Sequence, residues 1–282
     1  MSDPAAELVA RLDALPPLRD VISQNQLRAE KKLGQNFILD LNITDKIARA
    51  AGDMTKRNVV EIGPGPGGLT RSLLRQNPLS LTAVEFDTRA VAALGPLQEA
   101  GAGKLSVVTG DALRQNLLEL VPAPRGIVAN LPYNIATPLL TGWLEQLRNN
   151  PGCFDSMVLM FQREVAMRIT ATPADKEYGR LAIITQWLCD ADRVFDLPPS
   201  AFVPPPSVTS SVVRFFPKTL PADAPPFAAV EKITAAAFGQ RRKMLKACLK
   251  PWPGLLEKAG IDGTKRAEQL PVSDFIKLAQ AL

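Results

Sequence analysis

Asn58-Val59-Val60-Glu61-Ile62-Gly63-Pro64-Gly65-Pro66-Gly67-Gly68-Leu69-Thr70 is the stretch that decides the fold. A short apolar run over residues 58–62 predicts a strand. A glycine cluster follows it, and residues 67–76 read as a helix. Glycines allow positive φ and let the backbone approach a ligand closely. The helix behind them offers its N-terminal amides and dipole. Working outward, strands are expected at 79–84, 105–108, 126–129 and 157–161. Helices are expected at 88–98 and 138–148, from 162 to 169, and at 179–189. This alternation predicts βαβ units and a parallel sheet. The strands are continuous apolar runs, as expected where both faces are covered. Upstream, residues 1–28 read as a short amphipathic helix and a second helical start, and 41–51 as a helix. Downstream, nine of the 25 prolines fall between Pro198 and Pro226. Residues 208–216 there read as the last strand of the sheet, and everything from Phe227 onward reads as helical. The expected division is an N-terminal extension (1–28), an α/β domain (29–217) and a small helical domain (218–282).

The chain has 282 residues, 46% hydrophobic and 22% charged, the balance of a soluble globular protein of one or two domains. It contains no histidine, which excludes a Ser-His-Asp triad and an imidazole zinc site. Cys153, Cys189 and Cys248 form no CxxC pair, so no metal site is expected, and buried thiols in a reducing compartment are. No apolar run approaches the ~18 residues of a membrane span. Asp3, Glu7 and Asp13 argue against a targeting peptide, so a cytoplasmic protein is expected. Nothing indicates oligomerisation, and monomer is the default. The net charge is +5; residues 239–282 carry nine basic and four acidic side chains, and the rest carries 24 of each. A neutral body with a basic end suggests a surface facing a polyanion.

Gly63-x-Gly65-x-Gly67 is tighter than the GxGxxG spacing of dinucleotide sites. It resembles the E-x-G-x-G-x-G loop of S-adenosylmethionine (SAM) methyltransferases. SAM has no pyrophosphate; it needs room for an amino-acid tail and acceptors for its ribose hydroxyls and ammonium. Glu85 ends the second strand, 22 residues after Gly63, where a carboxylate takes ribose hydroxyls in related sheets. Asp111 follows the third strand and is placed to accept from an adenine amino group. Taken singly, either acid is as readily a helix cap; three matching strand ends in order outweigh that reading. Asn36 and Ile38, in Gly34-Gln35-Asn36-Phe37-Ile38, precede the first helix of the α/β domain and are placed to cover the SAM edge.

After the fourth strand comes Asn130-Leu131-Pro132-Tyr133-Asn134. This resembles the N/D-x-P-Y/F signature of amino-group methyltransferases. An exocyclic adenine nitrogen is a poor nucleophile, because its lone pair is delocalised into the ring. The Asn130 side-chain oxygen and the Leu131 carbonyl, directed at its hydrogens, favour a pyramidal nitrogen with an available lone pair. Pro132 fixes the turn, and Tyr133 offers a face for the base. A base in folded RNA must be splayed out to reach such a pocket. Phe202, on a stiff proline-rich segment, is the candidate second face of a clamp; an ordinary core phenylalanine is the alternative reading.

The ordered set LGQNFILD, VVEIGPGPGGLT, VEFD, GDAL, NLPYN, FVPPPSVTSSVVRF and FGQRRKMLKACL resembles the KsgA-type family of rRNA adenine N6,N6-dimethyltransferases, over residues 15–282. The resemblance implies a Rossmann-like class I SAM methyltransferase with a seven-stranded, mostly parallel sheet and a small C-terminal helical domain. It implies SAM contacts at Asn36, Ile38, Gly63, Gly65, Glu85, Asp111 and Asn130. Asn130, Leu131 and Tyr133 would shape the amino-group site, with Phe202 stacking on the target. It implies dimethylation of two adjacent adenosines in the 3′-terminal hairpin of small-subunit rRNA, and binding to the small subunit or a late assembly intermediate. The basic end then has a partner. Arg242, Lys246 and Lys250, spaced i, i+4, i+8, with Arg241 and Lys243 beside them, are expected to form one cationic helical ridge against rRNA phosphates. Met244, Leu245 and Leu249 are expected to face the protein. The rivals are a macrolide-resistance type methyltransferase of large-subunit rRNA, a DNA adenine methyltransferase, a non-catalytic assembly factor and a nicotinamide-dependent dehydrogenase. The last fails on glycine spacing.

Overall fold

Among the residues described by the structure, a computed structural model covering 3–27, 35–240 and 242–282, nine strands form. They are β1 (Phe37–Ile38), β2 (Asn58–Ile62), β3 (Ser80–Glu85), β4 (Leu105–Thr109), β5 (Arg125–Asn130), β6 (Ser156–Gln162), β7 (Cys189–Leu197), β8 (Phe202–Val203) and β9 (Ser210–Pro217). The helices up to the glycine loop are α1 (Pro4–Asp13), α2 (Leu18–Gln24) and α3 (Leu41–Ala50), and the loop opens α4 (Gly68–Arg75). Between the strands that follow lie α5 (Thr88–Ala93), α6 (Gly95–Ala100), α7 (Leu117–Leu120), α8 (Tyr133–Asn149), α9 (Arg163–Thr170) and α10 (Arg180–Leu188). The chain ends with α11 (Phe227–Gly239), α12 (Leu245–Cys248), α13 (Leu255–Lys258) and α14 (Val272–Ala281).

Seven strands form one sheet in the order β4-β3-β2-β5-β6-β9-β7, and β1 pairs antiparallel with β8. The pairs β2/β3, β3/β4, β2/β5 and β5/β6 are all parallel. The chain runs outward from β2 through β3 to β4, then returns to β5 on the other side of β2. The carboxyl ends of β2 and β5 therefore meet at the point where strand order reverses, where such sheets bind ligands. Aspartates start the flanking helices by ordinary capping chemistry. Asp40 Oδ1 accepts from the Asn42 amide at 2.9 Å, and Asp87 Oδ1 from the Arg89 amide at 3.0 Å.

Several expectations are corrected. The single helix over 88–98 is two helices, because Pro96 lacks the amide that would continue the first. The strand expected over 208–216 forms as β9, last in chain order, and its place in the sheet is internal, between β6 and β7. Edge strand β7 leaves no strand pattern in the sequence, because Asp190, Asp192, Arg193 and Asp196 interrupt its apolar run. The cationic helical ridge is not formed. Only Leu245–Cys248 is helical; Arg242 and Lys250 lie in turns outside it. The Leu245 amide donates instead to the Lys265 carbonyl at 2.8 Å, and the Lys246 amide to the Gly263 carbonyl at 3.0 Å. Leu245 and Leu249 are buried as expected, whereas Met244 is exposed.

By contacts the chain divides into two units. One gathers 1–140, 153–163 and 193–214; the other gathers 141–152, 164–192 and 215–282. Their boundaries are drawn differently from the linear division at 28/29 and 217/218. The core of the first unit includes Leu73, Leu81, Val128, Val158 and Val212, and also Leu8 and Leu12 of α1. The second is held by Tyr178, whose hydroxyl donates to the Leu270 carbonyl at 2.9 Å, and by stacking of Trp187 on Phe227. No helix among the described residues is long and apolar enough to cross a membrane.

Candidate active site

A cavity of about 270 Å³ opens in the first unit at the reversal of strand order, lined by the glycine loop, the ends of β3 and β5, and β1. The loop is built by backbone demands. Gly65 has φ +53°, and a Cβ there would lie 2.9 Å from the Phe37 ring. A Cβ on Gly68 would lie 2.7 Å from the Ile38 carbonyl oxygen, so α4 starts hard against β1. A side chain at either position is excluded by contact, and by conformation at the first.

Glu85, at the end of β3, is 5% exposed and locked by three amides. Its Oε1 accepts from Phe86 at 2.8 Å and Asp87 at 2.9 Å, and its Oε2 from Gly65 at 3.0 Å. Burial nonetheless holds its carboxyl above the usual carboxylate range. A carboxylate offers about four lone-pair sites, so one remains, on Oε2. Asp87 is engaged by Arg89 at 2.7 Å, and the Arg89 hydrogen bond keeps its carboxyl below the usual range. Asp111 lines the cavity, with Oδ1 accepting from the Leu113 amide at 3.0 Å.

Glu61, which the sequence does not mark as a site residue, also lines the cavity. It is 1% exposed, its Oε2 makes no hydrogen bond among the described residues, and burial, only partly offset by the Thr70 hydroxyl, pushes its carboxyl up to about 8. An orphaned acceptor beneath a glycine cradle fits a ligand that brings donors or positive charge.

At the end of β5 the Asn130 amide nitrogen donates to the Asn36 carbonyl at 3.1 Å. That bond orients the side chain, with Oδ1 as its acceptor. Leu131 is buried, and Tyr133 begins α8, lining the cavity beside Pro132 and Asn134. Burial raises the Tyr133 phenol pKa. Asn36, Ile38, Gly63, Gly65, Glu85, Asp111, Asn130, Leu131 and Tyr133 are thus brought to one cavity.

Phe202 is not. It is 2% exposed, pairs with Ile38 across the β1/β8 ladder and packs in the core, while its neighbour Val203 points outward. Side chains alternate along a strand, and the inward position falls to the larger apolar ring. The expected stacking face is therefore withdrawn for Phe202. Phe86 and Leu113, both exposed, line the mouth instead. The only sequence signal for Phe86 was its place directly after the carboxylate that ends β3.

Arg242, Lys243, Lys246 and Lys250 are exposed, in the second unit. Arg241 lies outside the described residues.

Comparison with known proteins follows the same lines. A profile of the family described as ribosomal RNA adenine dimethylase matches residues 26–282. A ribosomal RNA small subunit methyltransferase A from Rhodospirillum rubrum is 49% identical, spanning 100% of this chain and 98% of that protein. The protein of the same name from Rhodopseudomonas palustris is 53% identical, over 97% and 96%. A solved dimethyladenosine transferase from Plasmodium falciparum has TM-score 0.72 at 28% identity, covering 85% of this chain and 94% of that one. The 23S rRNA methyltransferase ErmE has TM-score 0.65 at 24% identity, covering 88% and 99%, a likeness of fold alone. With its seven-stranded, mostly parallel sheet and this degree of likeness, the chain belongs to the ribosomal RNA adenine dimethylase family.

Proposed function

We propose that this protein transfers methyl groups from SAM to the N6 amino groups of two adjacent adenosines in the 3′-terminal hairpin of small-subunit rRNA, giving N6,N6-dimethyladenosines. The observation that carries this reading is the convergence of the Gly63–Gly68 loop, Glu85 and the Asn130–Tyr133 turn on one cavity. The residues fit SAM. The glycine cradle admits a ligand against backbone, the free lone pair on Glu85 Oε2 suits a ribose hydroxyl, and Glu61 Oε2, once its carboxyl gives up its proton, suits an ammonium. Asn36, Ile38 and Asp111 would complete the SAM pocket. SAM supplies an electrophilic methyl group on a sulfonium sulfur.

The chain's own contribution is positioning. In the first transfer Asn130, fixed by its bond to Asn36, presents Oδ1 to one hydrogen of the adenine amino group and the Leu131 carbonyl takes the other; the monomethylated nitrogen keeps a single hydrogen, which one of the two acceptors holds in the second transfer. These bonds favour the pyramidal nitrogen whose lone pair is available. Tyr133 supplies an aromatic face for the base, worth roughly 1–3 kcal/mol. Placement of this kind accounts for large rate factors, consistent with a chain that has no histidine.

Arg242, Lys243, Lys246 and Lys250, with Arg241 beside them, bind rRNA phosphates. They contribute salt-dependent affinity and little sequence choice. The partner is the small subunit or a late assembly intermediate, the protein acts as a monomer in the cytoplasm, and a role in subunit biogenesis accompanies catalysis. Labelled SAM and small subunits lacking the modification test the reading. Labelled N6,N6-dimethyladenosine confined to the 3′-terminal hairpin is expected. Label only in large-subunit rRNA, or subunit binding without transfer, overturns it.

A further inference from the structure

The hydroxyl oxygens of Tyr133 and Ser210 share a hydrogen bond of 2.5 Å, which ties the first residue of α8 to the first residue of β9. Ser210 is fully buried, and the reading above uses only the ring of Tyr133. The strand end that carries Ser210 is itself held on both sides. The Arg163 amide donates to the Thr209 carbonyl at 2.9 Å. The Ser211 hydroxyl donates to Asp196 Oδ1 at 2.6 Å, and Arg163 Nε lies 3.4 Å from the other oxygen of the same carboxylate. Ser210 is therefore a fixed point rather than a mobile partner.

A tyrosine ring on the first turn of a helix, with one side facing a cavity, keeps freedom about χ1 on that side unless its hydroxyl is held. Stacking on a base needs the ring face at one orientation, and small misplacements of a reacting group are expensive in rate. A bond at the far end of the ring removes the swing about χ1 and leaves the face pointing one way. It also satisfies a phenol that would otherwise be partly desolvated without a partner.

We propose that Ser210 is a positioning residue for methyl transfer, holding the Tyr133 ring in the orientation that receives the target adenine. This rests on Tyr133 being the base platform. The test is single-turnover transfer to unmodified small subunits by Ser210→Ala, Tyr133→Phe, the double variant and Tyr133→Ala, with SAM affinity measured on each. Ser210→Ala and Tyr133→Phe are each expected to slow transfer about tenfold, within the range for a misplaced group, with SAM affinity unchanged. The double variant is expected to be no slower than either single one, because both remove the same bond. Transfer at the parent rate in Ser210→Ala, or losses that multiply in the double variant, overturns the proposal. Should Ser210→Ala fail to fold, Tyr133→Phe decides alone, and a parent rate there overturns it. Undiminished transfer by Tyr133→Ala would instead overturn the platform reading itself. Loss in Tyr133→Ala with no loss in Ser210→Ala overturns only the role of Ser210.

Discussion

Glu85 Oε2 accepts the Gly65 amide at 3.0 Å, so the residue that ends β3 is bolted to the loop that follows β2. The same carboxylate caps the Phe86 and Asp87 amides. The group read from sequence as a ligand acceptor is therefore first the clamp that shapes the cradle.

Glu85→Gln tests this double duty. The glutamine NH2 would face amide donors that the carboxylate now satisfies. Leaving buried donors unpaired costs about 1–3 kcal/mol. The expected result is a loss of stability of that order in urea denaturation, together with weaker SAM binding by calorimetry. Weaker SAM binding at unchanged stability would mean that Glu85 is a ligand contact and not a clamp.

Glu61 makes stability fall with rising pH. Burial lifts its carboxyl from 4.5 to about 8 in the folded protein. The folded state therefore binds a proton that the unfolded state has released across that window. The stabilisation is complete below about 4.5 and lost as pH rises through about 8. Its size is on the order of a few kcal/mol, at 1.36 kcal/mol per pH unit. Glu61→Gln cannot ionise, so its denaturation midpoint in the absence of SAM is expected to decline less between pH 5 and pH 8 than the parent's. Parallel declines in the two proteins would show that Glu61 does not titrate in this range.

Strands β2, β3, β5 and β6 are legible in the sequence because both faces are covered and their runs are mostly apolar. The acids and the Asn130 turn were legible because strand ends share one crevice in a parallel sheet. Edge strand β7 was not, since its exposed positions carry charge. Phe202 misled because a two-residue strand contains no alternation from which to tell its inward side. The basic segment misled for a different reason. Its i, i+4, i+8 spacing suits a helix, but the backbone pairs of Leu245 and Lys246 with 263–265 are long-range and leave no local trace.

Phe202→Leu separates the two placements of that ring. As a core residue, its replacement by a smaller apolar side chain lowers stability by about 1–3 kcal/mol, as cavity-forming core substitutions do. Transfer measured below the melting range is expected to stay near the parent value. A large fall in transfer with unchanged stability would restore Phe202 as a stacking face and require β8 to rearrange when RNA binds.

Asn130→Ala removes both the acceptor Oδ1 and the tether to Asn36. Losing one oriented partner of a reacting group typically costs about 10²–10³ in rate. Transfer is expected to fall by that much while SAM binding is partly retained. Comparable transfer in the variant would remove Asn130 from the amino-group site.

Arg242 and Lys246 are exposed, and Lys246 lies in a segment whose backbone is pinned to Gly263. Replacing both with alanine leaves the backbone bonds intact, so folding is expected to be unaffected. What changes is the number of cations available to phosphate. Each phosphate contact contributes about 0.7–0.9 to the slope of log affinity against log salt. The double variant is therefore expected to bind small subunits more weakly at low salt, with a slope shallower by about 1.4–1.8. The loss should shrink as salt is raised, because both proteins then retain only contacts that release no counterions. An unchanged slope would make these side chains a solvated face and move the rRNA-binding surface elsewhere on the chain.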